Sequence, residues 1–240
     1  MGKITLIKLF WFFISTFILL GKNVPITVGE TLLYRASFSG INAAEASLNV
    51  INKIVIENDS VYHVRFLAKS KGPIHYLFPI NDEINLWLDA KTLLPIKIHE
   101  NINEGNFKSS RTIQFNRKKG YALIGSDTLD INKNTQSPYS LFYFFRKHNV
   151  KNFRGKTITL IQNGKNILLQ LLIKENQKVV VPAGSFICKT VSPIRKDNKK
   201  FKNKAELDIM FSNDKNQYPV KIRIKLKYGY LVLELDQILN

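Results

Sequence analysis

From Thr31 onward, apolar and polar residues alternate with a period of two, and Gly, Asn, Asp or Pro interrupt the pattern about every ten residues. Successive side chains of a strand point to opposite faces, so this pattern predicts strands that each bury one face. Residues 221–228, KIRIKLKY, are the clearest case. Lys221, Arg223, Lys225 and Lys227 fall on one face, expected to be wet and basic, and Ile222, Ile224, Leu226 and Tyr228 fall on the other. Gly229 then intervenes, and residues 230–235 are either the same strand beyond a bulge or the next one. Residues 157–162 and 165–173 flank Asn163-Gly164, a pair that readily takes the positive φ angles of a type I′ turn and so predicts a hairpin. Further strands are expected at 31–37, 43–56, 61–70, 84–88, 95–100, 109–116, 120–125, 178–181, 186–192 and 205–211. So many short strands predict a mostly β chain: a curved antiparallel sheet forming a half-barrel or barrel, with a sandwich as the other arrangement.

One segment breaks the pattern. Residues 137–148, SPYSLFYFFRKH, place a capping Ser137 before Pro138 and then apolar side chains on nearly every side, as a short buried helix would. This aromatic helix is expected to lie across or inside the sheet, after a polar, turn-prone loop at 127–136.

Composition sharpens the picture. Residues 1–21 carry Lys3 and Lys8 ahead of an uncharged apolar run from Leu9 to Leu20, the pattern of a secretory leader or N-terminal anchor. The run is shorter than the roughly 20 residues that span a bilayer, and no cysteine follows it to accept lipid. Residues 22–240 show no linker or repeat and are expected to form a single β-rich domain. Cys188 is the sole cysteine, which excludes an intrachain disulfide, and the four histidines lack metal-ligand spacing. A formal charge of +18 favours anionic partners. The same Lys-, Asn- and Ile-rich composition is what an AT-rich genome supplies, so the charge names no ligand.

Several landmarks fall in order: Val28-Gly29-Glu30-Thr31-Leu32-Leu33-Tyr34, Ser39-Gly40, Ala43-Ala44-Glu45-Ala46, Leu94-Pro95, Ser140 to Arg146, Val181-Pro182-Ala183-Gly184-Ser185-Phe186, Pro219-Val220 and Tyr228-Gly229. In order and spacing they resemble the bacterial envelope family catalogued as domain of unknown function 3108. The resemblance implies a secreted or periplasmic β-rich domain, related in architecture to half-barrel lipoprotein carriers with a helix in the concavity. It supplies no catalytic residues. Family members commonly carry an acid shortly before the aromatic helix, where this chain has Gln136-Ser137-Pro138.

Reactive constellations are lacking. No Gly-x-Ser-x-Gly elbow, phosphate-binding loop or dinucleotide fingerprint occurs, so no enzyme activity and no cofactor are expected. The pairs Asp82/Glu83 and Asp127/Asp130 read as solvated loop acids, and Cys188 as a small core residue. The favoured function is a non-enzymatic exported protein that binds an amphipathic or anionic ligand such as a lipid. Phe142, Tyr143 and Phe145 would line its cavity and Arg146 would meet a headgroup at the mouth. The alternative is a filled, structural module that docks on an envelope protein or polyanionic glycan through Lys221, Arg223, Lys225 and Lys227 and the basic run 195–204. Nucleic acid is not expected as a partner, and membrane contact is expected only through an uncleaved leader or a peripheral basic surface.

Overall fold

The computed structural model describes residues 26–56, 58–148, 150–196, 206–226 and 229–240, so the leader and most of the basic run lie outside the described residues. The first eight strands are β1 (Thr31–Phe38), β2 (Ile41–Ile56), β3 (Asp59–Ser70), β4 (Asn81–Asp89), β5 (Pro95–Glu104), β6 (Phe107–Asn116), β7 (Tyr121–Ile124) and β8 (Asp127–Asp130). Six follow: β9 (Thr157–Gln162), β10 (Lys165–Val181), β11 (Gly184–Arg195), β12 (Glu206–Ser212), β13 (Pro219–Leu226) and β14 (Gly229–Leu239). All fourteen form one curled antiparallel sheet in which strands consecutive in sequence lie side by side, except β8 and β9, and β1 pairs with β14 to join the two meanders.

This order puts the sheet's two margins, β8 and β9, in mid-chain, and the segment between them ties them together. Gln136 donates its backbone N–H to Thr159 O and accepts from the Ile161 N–H, both at 2.9 Å. Asn166 Nδ2 donates to Asp130 O at 2.6 Å, and Arg117 donates to the Lys133 and Thr135 carbonyls at 2.9 Å. The tied segment continues into the aromatic helix, which runs inside the curl from Ser140 to Lys147.

Several sequence expectations need correction. Residues 178–181 are not a separate strand: they continue β10 beyond a bulge between Lys174 and Gln177, where Asn176 takes a φ of 58°. The expected loop at 127–136 opens with β8, a short strand with no buried residue. Asp82 lies not in a solvated loop but buried on β4, where its Oδ1 accepts the Asn103 N–H at 2.8 Å. Helix α1 (Gly72–Leu77) was not foreseen, because none of its residues is buried and it therefore has no apolar stripe to betray it. The aromatic helix, α2, has Tyr139 rather than Ser137 at its N-cap. Ser137 acts one turn earlier: its Oγ accepts the Ser140 N–H at 3.1 Å, and its own N–H donates to Ser140 Oγ at 2.9 Å. The Asn163-Gly164 turn has φ values of 50° and 70°, as a type I′ hairpin requires, and Gly229 opens a separate strand.

Candidate functional site

The strand registers define two ends of the curl. At one end lie the turn joining β1 to β2, helix α1, and the turns joining β5 to β6 and β9 to β10. At the other lie Glu30, the turn joining β4 to β5, residues 132–134 and the connection from β12 to β13. Inward-facing side chains are large near the second end and give way to alanines at the first. Along β1 they run Leu32, Tyr34, Ala36; along β2 they run Val50, Leu48, Ala46, Ala44; β3 ends on Phe66 and Ala68. The alanines meet across strands, Ala36 opposite Ala44 and Ala46 opposite Ala68. Four small residues in one patch leave unfilled space above them.

That space is a cavity of about 430 Å3, floored by the alanines and walled by Leu207, Ile209, Ile222, Ile224, Leu231 and Leu233 of the second meander. Tyr139, Leu141 and Phe142 form its helical wall. Its polar lining groups are Glu45, Asp82, Glu104 and Gln162. Tyr139 lies against Phe66, with ring centroids 6.0 Å apart. Burial pushes the Tyr139 phenol well above its ordinary pKa, and the charges of Glu100, Asp82 and Glu104 push it further, so it stays protonated. Beside this end, α1 presents Tyr76 and Leu77 to solvent, 88% and 81% exposed, and Ile80 just beyond it lines the cavity.

At the opposite end the interior between α2 and strands β1 and β2 is packed and locked. Tyr143 and Phe145 are fully packed, and Phe145 meets Phe211 edge-on at 5.8 Å. Arg146 lies at this closed end, away from the cavity, which corrects the expectation that it stands at the mouth. Its guanidinium is 1% exposed and grips Glu30 with two nitrogens, Nη2 donating to Oε2 at 2.7 Å, while Nε donates to Asn216 O at 3.0 Å. Gln217 Nε2 donates to the Arg146 carbonyl at 2.6 Å. Burial alone would lower the Arg146 pKa, but its hydrogen bonds to Glu30 and the Glu30 charge raise it above the ordinary value. A charge so held is a structural clamp, because another anion would have to displace a bidentate carboxylate.

The expected basic face is likewise compensated. Lys221 pairs with Glu234 at 2.7 Å, Arg223 with Asp208 at 2.5 Å and Lys225 with Glu206 at 3.4 Å, each from a neighbouring strand. Alternation along one strand could not reveal these acids, which the register of β12 and β14 supplies. Lys227 lies outside the described residues. Of the side chains singled out in sequence, Phe142 reaches the cavity, whereas Tyr143 and Phe145 are core. The alanine floor stood in the sequence as Ala43-Ala44-Glu45-Ala46, but its meaning needed the pairing of β1, β2 and β3.

With this geometry in hand, the chain can be placed among known proteins. The family model described as a protein of unknown function, DUF3108, matches residues 33–236. The chain belongs to this family. No curated protein matches it. Among solved structures, this DUF3108 chain is similar to a β-barrel-like protein of domain of unknown function 1849 from Brucella abortus. The TM-score is 0.54 at 10% identity, covering 89% of this chain and 98% of that one. Weaker similarity links it to a candidate lipoprotein from Parabacteroides distasonis (TM-score 0.39, 10% identity, 88% and 95% covered). A candidate exported protein with a YmcC-like fold from Bacteroides fragilis gives TM-score 0.41 at 9% identity, with 89% and 97% covered. The Brucella protein supports the barrel-like fold and assigns no function.

Proposed function

We propose that this DUF3108 chain is an exported, non-enzymatic carrier whose cavity takes up the apolar chain of an amphipathic molecule such as a lipid. The carrying observation is the cavity above the alanine floor: a volume of about 430 Å3 with a mainly apolar lining lies within the range of small-molecule sites, roughly 300–1,000 Å3. Among the described residues, the lining contains no Ser, Cys, His, Lys or Arg. The lining carboxylates Glu45, Asp82 and Glu104 suit a neutral or zwitterionic head better than a bare anion. The leader-like residues 1–21 support export.

A fluorescence titration with a zwitterionic lysophosphatidylcholine dye-labelled at the terminal carbon of its acyl chain tests this reading. Saturable binding at one probe per chain is expected. The double variant Ala46→Leu/Ala68→Leu should weaken it by more than about tenfold, because each excluded methylene forfeits about 0.8 kcal/mol. Equal binding by both proteins, or none by either, would count against the carrier.

A further inference from the structure

At the closed end, separate from the apolar cavity, four lysines from four segments converge on a second recess of about 710 Å3. Lys91 comes from the turn joining β4 to β5, Lys133 from the segment that ties the sheet margins, Lys147 from the last turn of α2, and Lys156 from the residue before β9. Phe144 and Phe153 form its inner wall, with ring centroids 5.2 Å apart. Among the described residues, no carboxylate contributes to the lining. Among the described residues, none of these four lysines forms an ion pair, whereas Lys221, Arg223 and Lys225 each have one.

This arrangement is electrostatically unfavourable when empty. Like charges around one recess repel, and the low-dielectric aromatic wall screens them less than open water would. Burial already lowers the pKa of Lys147, and Asp89 is the only acid that counters the shift. Asp89 itself caps a turn, its Oδ1 accepting from Thr92 N–H at 2.7 Å and from Thr92 Oγ1 at 2.6 Å. A bound anion would remove the repulsion and satisfy several ammonium groups at once.

We infer that this recess at the closed end is a binding site for a phosphate-bearing anion, held by Lys91, Lys133, Lys147 and Lys156 against the Phe144/Phe153 wall. The site goes beyond the carrier reading and does not depend on it. Its phosphate could belong to a soluble molecule or to a lipid headgroup, and the test separates the two.

The test is calorimetric titration of the full chain, held in a non-ionic detergent, with inorganic pyrophosphate in one arm and short-chain phosphatidylglycerol in the other. One ligand per chain is expected in at least one arm, and the arm that binds more tightly names the source. The variant Lys91→Gln/Lys133→Gln/Lys156→Gln changes exposed side chains only and should weaken binding by about tenfold or more, the size of one lost charge-assisted hydrogen bond. The control Lys221→Gln/Arg223→Gln/Lys225→Gln removes the same charge and should bind as the parent does. Without anion, the first variant should melt no lower than the parent, because it relieves repulsion. No binding in either arm, or equal weakening by both variants, would overturn the site.

Discussion

The two ends of this curled sheet are built from the same strands yet differ in what fills them. At the closed end β1 and β2 turn Leu32, Tyr34, Leu48 and Val50 inward, and α2 adds Tyr143, Phe145 and the Arg146–Glu30 clamp. At the open end the same strands turn only Ala36, Ala44 and Ala46 inward, and α2 contributes only its first residues. Stability therefore concentrates at one end and unfilled apolar volume at the other. A protein meant to be solid throughout would carry leucine or phenylalanine at those alanines, because close-packed interiors leave few voids larger than a water molecule.

This contrast can be broken most severely at the clamp. Arg146→Met would leave Glu30 buried without its partner and should cost about 3–5 kcal/mol in urea denaturation. Replacing both partners with apolar residues, as in Glu30→Leu/Arg146→Met, should recover much of that loss, because the pair's desolvation penalty disappears with it.

The aromatic helix offers a sharper comparison. Phe145→Ala at the closed end should cost about 3–5 kcal/mol, whereas Phe142→Ala beside the cavity should cost about 1 kcal/mol, since Phe142 is only half-buried and already borders empty space. Equal losses would show that the two ends are packed alike. Smaller still, Arg223→Ala should cost less than about 1 kcal/mol, because its pair with Asp208 is solvent-exposed.

Tyr143→Phe should be close to neutral: its hydroxyl is buried without a hydrogen-bond partner among the described residues. Cys188 gives a pH test. Burial, then the charge of Asp214, pushes its thiol from 9.0 up to about 11. An unfolded chain would ionise this thiol first, so its contribution to stability is complete below pH 9.0 and is lost as pH rises towards about 11. The stability profile of Cys188→Ala should therefore fall less steeply over that window.

Most strands were legible because period-two alternation survives in any sheet with one wet face, as in KIRIKLKY and in the Asn163-Gly164 hairpin. What escaped depended on partners distant in sequence. Glu30 and Arg146 lie 116 residues apart, and only the closure of the sheet brings them together. The basic strand looked free of acids because Asp208 and Glu234 stand on its neighbours. Helix α1 left no trace in the apolar pattern because it buries nothing. Buried aromatics in 137–148 were readable from composition, but which of them borders empty space was decided by alanines on β1, β2 and β3. Gln136 lies just before the aromatic helix. Its Oε1 accepts from the Ser140 hydroxyl at 2.7 Å, as a carboxylate would, while its Nε2 has no partner among the described residues.

The central claim is that the open end holds an apolar chain in a space kept clear by small residues. Native mass spectrometry of the full chain, extracted gently from a bacterial envelope with lipid analysis of whatever accompanies it, tests this most directly. With Lys91→Gln/Lys133→Gln/Lys156→Gln in both proteins to empty the second recess, the account predicts one lipid-like molecule per chain with the native alanines and a bare mass for Ala46→Leu/Ala68→Leu. A bare mass with the native alanines, or an adduct that persists in the filled variant, would contradict it.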